Sequence, residues 1–240
     1  MTIDSRNVRA LVLIAWSAFL LWLWGSGEVA RYLGPRTQWV VPVGAVALVL
    51  ITGAYLRENR RRPQWAGRIR LGEALGLGAL LLPVVAGALF ANAQLGALAA
   101  SKKLSQRGID LSALADLAAG DASHPDFVQI DVAGHNAGFA KRTGLTAGRT
   151  VRLVGFVASS PRGQRGRFQL ARFYITCCVA DAVPIGVPVD PATARRIRYR
   201  KDDWLDVTAS LAHRGNAYVL QARKISRTNA PHDPYLSFSS

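Results

Sequence analysis

The chain has 240 residues, with 30 Lys and Arg against 15 Asp and Glu, a formal net charge of +15, and a mean hydropathy of +0.15. Half of its residues are apolar, which is too much apolar surface for a disordered chain. Two cysteines exclude a disulfide-dense secreted mini-domain, and the lack of any sustained repeat excludes a collagen-like or coiled-coil fibre.

The apolar residues crowd into the first hundred positions. Residues 1–100 carry ten Arg, no Lys and four acids, and residues 101–240 hold the remaining twenty basic and eleven acidic residues. This shift predicts a membrane domain over 1–100, a linker over 101–124 and a β-rich domain over 125–240. Three uncharged runs are candidate transmembrane helices: 8–24, 39–56 and 74–91. A hydrocarbon core of roughly 30 Å needs about 20 helical residues, with about 17 as the lower limit, and all three runs reach it. Trp22, Trp24 and Trp39 fall near run ends, where indole rings favour the interface. Pro42 and Pro83 lie inside runs, which membrane helices tolerate. Run 1 also has the basic flank of a signal peptide (Arg6, Arg9), but no small-x-small cleavage site follows Trp24.

The segment 57–70 contains six Arg: 57, 60, 61, 62, 68 and 70. Short loops rich in positive charge stay cytoplasmic. With three spans, the N-terminus is then expected inside and the C-terminal domain outside the cytoplasm.

A short helix is expected over 109–119. Strands are expected over 127–132 (FVQIDV), 150–158 (TVRLVGFVA, bent at Gly155), 169–178 (QLARFYITCC), 185–189, 204–211 and 217–225. Turn residues separate them at Pro161-Arg162-Gly163, Asp202-Asp203 and Arg214-Gly215-Asn216. The fold class is therefore membrane α plus all-β, with three transmembrane helices before a small β-barrel-like, OB-like soluble domain. Such barrels often bind nucleic acid, but nucleic acid is not the expected partner of an extracytoplasmic domain, and fold alone does not give function.

Both cysteines are adjacent, in Cys177-Cys178-Val179-Ala180-Asp181. Two thiolates and a carboxylate can serve a borderline metal ion such as zinc. Neighbouring residues on a regular strand point to opposite faces, so both sulfurs reach one metal only if the chain bulges there. Redox chemistry of the vicinal pair stays open. So does a structural role in which one cysteine is a small buried hydrophobe and Asp181 caps a turn. His124, His135, His213 and His232 lack close metal-ligand spacing to the cysteines. There is no GxGxxG, P-loop or HExxH, so enzyme activity has no positive support.

Four segments together resemble a known family: GRTVRLVGFV from Gly148, ARFYITCCVADA from Ala171, DWLDVT from Asp203 and PHDPYL from Pro231. They resemble the YcgQ-like family of bacterial membrane proteins. The resemblance implies one subunit of a two-component permease complex whose partner is a permease of the YraQ type, seated in membrane lipid. The chain departs from the family pattern at Gly34, where members carry His before the proline, and at Ala209, where they carry Gly. On this reading the soluble domain presents substrate or a metal ion to the permease through Cys177, Cys178 and Asp181.

Overall fold

The computed structural model describes residues 5–61, 71–89, 95–104, 123–159, 167–191, 199–215 and 217–236. The chain divides into two units, Met1–Gln94 and Leu95–Ser240.

The first unit contains helices α1 (Ser5–Gly25), α2 (Val40–Arg61) and α3 (Leu71–Leu89). Helices α1 and α2 are long and apolar enough to cross a membrane. At about 1.5 Å per residue they reach about 30 Å, the thickness of the hydrocarbon core. Their surfaces suit lipid, since Leu11 is 62% exposed and Leu50 68% exposed. In water, exposed leucines on this scale would be a large apolar patch. The expected third span forms as α3, but its apolar stretch is shorter, Leu75–Leu89. Among the described residues, two helices are therefore long and apolar enough to span where the sequence predicts three.

Helix α1 runs antiparallel to α2, with Ser17 Oγ 3.3 Å from Thr52 Oγ1 and Leu23 clustered with Val41. It runs parallel to α3. Arg9 pairs with Glu73 at 2.6 Å, the Trp16 indole donates to the Leu80 carbonyl at 3.0 Å, and the Phe19 ring lies over Gly87. A Cβ on Gly87 would sit 2.7 Å from Phe19 Cζ, so glycine permits this approach. Pro83 interrupts the backbone ladder of α3, and a neighbouring helix commonly supplies the substitute donor. Trp16 reaches the ladder one residue beyond Ala79, whose carbonyl loses its helical donor to Pro83.

The second unit opens with α4 (Ala97–Leu104), α5 (Phe127–His135) and α6 (Ala137–Thr143). The predicted strand 127–132 is instead the first turns of α5, which is a correction. The local reason is a capping box. Asp126 accepts the Gln129 N–H at 2.8 Å, and the Gln129 side chain accepts the Asp126 N–H at 3.2 Å. This satisfies two otherwise orphan donors and outweighs the β propensity of the valines and isoleucine. The predicted helix 109–119 and the turn at Pro161-Arg162-Gly163 lie outside the described residues.

Among the described residues six strands follow: β1 (Thr150–Ser159), β2 (Phe168–Tyr174), β3 (Val183–Pro191), β4 (Trp204–Arg214), β5 (Ala217–Arg227) and β6 (Tyr235–Leu236). Strands β1 to β5 close in the order β1-β4-β5-β3-β2 and back to β1, with β3 parallel to β5. This is a five-stranded closed barrel and fits the OB-like expectation. Closure depends on β1, whose first part pairs with β4 and whose last residues pair with β2. The expected bend at Gly155 falls instead in an unbroken ladder with β4, and the register of β1 shifts further on, between Val157 and Ser159. A Cβ on Gly155 would meet Phe127 Cζ at 2.7 Å and the Ala171 carbonyl oxygen at 2.8 Å, so only glycine fits. The short proline-broken segment expected at 185–189 is a nine-residue strand. Its ladder with β5 covers only Val189–Pro191, so Pro184 and Pro188 sit where no N–H is required on that edge.

The barrel core holds Val151, Leu153 and Val157 of β1, Leu170 of β2, Val187 of β3 and Leu205 of β4, in one buried cluster with Phe127, Ile130 and Phe139 of the helices. A second apolar cluster lies on the outer face of β1 and β2. There Phe156 and Phe173 stack 5.5 Å apart, and Ala97 and Ala100 of α4 cover them together with Tyr235. Asp202, at φ +69°, accepts the Ala97 N–H and pins the start of α4 to the turn before β4.

Candidate functional site

The predicted strand 169–178 ends early, at Tyr174. Cys177 and Cys178 therefore lie beyond the end of β2, in the loop from β2 to β3, where Cys178 forms an isolated β-bridge. The loop is tied at both ends. Ile175 is buried and donates its N–H to the Leu236 carbonyl at 3.0 Å, and Ala182 is buried in the same outer cluster. Between them Asp181 organises the chain. Its Oδ1 accepts the Thr176 N–H at 3.1 Å and its Oδ2 accepts the Cys177 N–H at 2.8 Å, while its own N–H donates to the Cys178 carbonyl at 3.1 Å. A single 3-10 turn, Val179–Asp181, leads into β3.

This turn removes the alternation of a strand. The two sulfurs come to lie 3.7 Å apart, and the pair forms no disulfide. Cys177 is exposed and Cys178 half-buried. The sequence-predicted residues Cys177, Cys178 and Asp181 are thus brought together in one loop. The Asp181 carboxylate, with the Cys178 thiol, pushes the Cys177 thiol up to about 11. Burial works to raise the Asp181 carboxyl, but hydrogen bonds from the Cys177 N–H and thiol and from the Thr176 and Cys178 N–H groups hold it below its ordinary value. Among the described residues, no three His, Cys, Asp or Glu side chains form a metal-holding group.

None of the four histidines joins the cysteine pair in a group of three, and three of them are engaged elsewhere. His124 Nδ1 lies 2.9 Å from Ser123 Oγ, His135 Nδ1 lies 2.9 Å from the Asp131 carbonyl, and the His213 ring packs on Tyr218.

The loop rests on a clasp that sequence reasoning missed. Arg172 donates to the carbonyls of Asp233, Pro234 (3.2 Å) and Tyr235 (3.3 Å), which holds β6 parallel to β2. Burial lowers the Arg172 pKa from its ordinary value, and the charges of Asp233 and Asp126 offset part of that. Burial likewise raises the Asp126 carboxyl, against the pull of the Gln129 and Val128 N–H groups and of Arg172. The clasp joins the ARFYITCC and PHDPYL segments, which are far apart in sequence. No local pattern marked Arg172, because its carbonyl partners lie 61–63 residues away along the chain.

Residues 140–237 match a family model described as the DUF1980 C-terminal domain. The match spans the barrel, the second half of α6 and the cysteine loop, and it fits the YcgQ-like resemblance. No curated protein matches the chain.

Proposed function

We propose that this protein is an accessory subunit of a membrane permease complex, with a YraQ-type permease as its partner. Its barrel domain presents a metal ion or substrate through the loop of Cys177, Cys178 and Asp181. The observation that carries the reading is the make-up of the helix unit. Among the described residues its wholly buried polar residues are Ser17 and Thr52, each bonded to the carbonyl four residues before it, while the Glu28 carboxylate, with one buried oxygen, pairs with Arg31 in the connection after α1. Helices of this kind pack on a partner, whereas a transport path is marked by ionisable groups facing the bundle interior.

On this reading α3 is the third span. It follows α1 in parallel from Arg9–Glu73 to Phe19–Gly87, and a modest tilt or local thinning of the bilayer accommodates its length. The six-Arg segment 57–70 then stays in the cytoplasm and the barrel lies outside it. The nucleic-acid alternative has a poorer footing. OB folds bind oligonucleotides on the face of strands 2 and 3, and the β2 part of that face, Ala171 and Phe173, lies under α4 and Tyr235.

The test is purification of a chromosomally tagged chain from native membranes in mild detergent. A multi-pass permease is expected at near-equal stoichiometry. A chain that purifies alone at full yield would overturn the proposal.

A further inference from the structure

We infer that Cys177 and Cys178 form an open half-site for zinc, supplying two thiolate ligands at a tetrahedral bite and leaving two coordination positions to water or to another molecule. The inference rests on the metal-presenting role proposed above and gives it a specific ion and geometry.

The sulfur separation carries it. Zinc–thiolate bonds are about 2.3 Å long, and two such bonds spanning sulfurs 3.7 Å apart meet at about 107°, close to the tetrahedral angle. A linear two-thiolate ion at the same bond length would need sulfurs about 4.6 Å apart, against the 3.7 Å found. The loop holds this spacing because Asp181 fixes the backbone of Thr176 and Cys177 and because Ile175 and Ala182 are buried. Zinc binding replaces two S–H bonds by two Zn–S bonds and releases two protons to solvent, with no change of oxidation state.

The other two ligands do not come from this chain's histidines or further cysteines. All six Cys and His residues of the sequence lie among the described residues, and no His joins the cysteine pair in a group of three. Asp181 does not join the pair in a group of three either; its oxygens accept two backbone N–H bonds, which hold the loop, and its carboxylate places negative charge beside the cation. A structural zinc site is closed by four protein ligands, and a working site keeps a position open. Two thiolates at the surface of a loop, with two open positions, suit an ion that is taken up and handed on.

The test uses the full chain in detergent, loaded with one equivalent of Zn²⁺. Zinc-edge X-ray absorption should show two sulfur and two oxygen or nitrogen neighbours. A competing chelator should remove the ion within the mixing time. Cys177→Ser and Cys178→Ser should each weaken binding by at least about 100-fold, since loss of a mere outer partner of a ligand costs about 10–100-fold. Both positions are at least partly exposed, and unchanged far-UV circular dichroism checks that the variants fold. Four sulfurs per zinc, as from two chains sharing one ion, would overturn the half-site. So would a shell of oxygen and nitrogen alone, or binding that neither serine variant weakens. The outcome is separate from permease co-purification: zinc can fail to bind while the permease co-purifies, and the converse.

Discussion

Replacing Asp181 with Asn should make Cys177 more reactive, although it removes a hydrogen-bond acceptor from the loop. The carboxylate is the main reason that the thiol titrates near 11 instead of its ordinary 9.0. At pH 8 a thiol of pKa about 11 is about one part in a thousand thiolate, and one of pKa about 9 is about one part in ten. That hundredfold gain is partly offset, because nucleophilicity falls with pKa at a Brønsted slope of about 0.4–0.5. The net ceiling is about tenfold in the rate of attack on a small disulfide. Cys178 contributes to the same shift, so an increase of about three- to tenfold is expected. The assay is stopped-flow exchange with an aromatic disulfide, comparing Cys178→Ser with Cys178→Ser/Asp181→Asn, so that one thiol reports and the serine hydroxyl keeps the neighbouring contact. Asn retains one oxygen to accept a backbone N–H. In the parent the rate should climb through pH 10 without levelling, and in the Asn variant it should level earlier. Equal rates, or a slower Asn variant, would refute the electrostatic account of this loop.

Gly155→Ala should destabilise the barrel by at least about 1–3 kcal/mol, the usual range for overpacking, because the new methyl meets a backbone carbonyl that holds the β1–β2 closure. Denaturant unfolding followed by near-UV circular dichroism checks it. Arg172→Met should cost about 3–5 kcal/mol and release the C-terminal segment, since it orphans the carbonyls at 233–235 and strips Asp126 of a compensating charge; earlier proteolysis near residue 233 is the readout. For Asp126, whose carboxyl is raised in the folded state, the stabilising contribution is full below the unfolded pKa near 3.8 and is lost as pH rises through the folded value. Asp126→Asn, which keeps a good cap, should therefore lose less stability than the parent between pH 4 and 7, whereas Asp126→Ala should cost about 0.5–2 kcal/mol throughout. Thermal unfolding across that range separates the two. Gly87→Leu should drive α3 from the Phe19 ring and abolish a disulfide crosslink engineered between the C-terminal ends of α1 and α3.

The sequence alone determined the division of the chain into an apolar front and a basic β-rich back, because membrane-length uncharged runs are composition and need no neighbours to be read. It also determined four of the barrel strands, since β1, β2, β4 and β5 carry their own alternation and turn residues, and it singled out the adjacent cysteines with Asp181. What it misread were segments whose state is set by partners. FVQIDV has strand-like residues, yet a reciprocal cap between Asp126 and Gln129 and burial against the barrel make it a helix. The prolines of β3 looked like breaks, but one of its edges is unladdered over most of its length. The third apolar run does form a helix, α3, and only its company with α1 was beyond the sequence, because that shows in contacts about 64 residues apart, from Arg9–Glu73 to Trp16–Leu80. The relation between the two sulfurs was beyond the sequence for the same reason. Adjacent residues diverge on a strand and converge in a turn, and what ends β2 at Tyr174 is the pairing of its neighbours and the carboxylate of Asp181, all contributed from elsewhere along the chain.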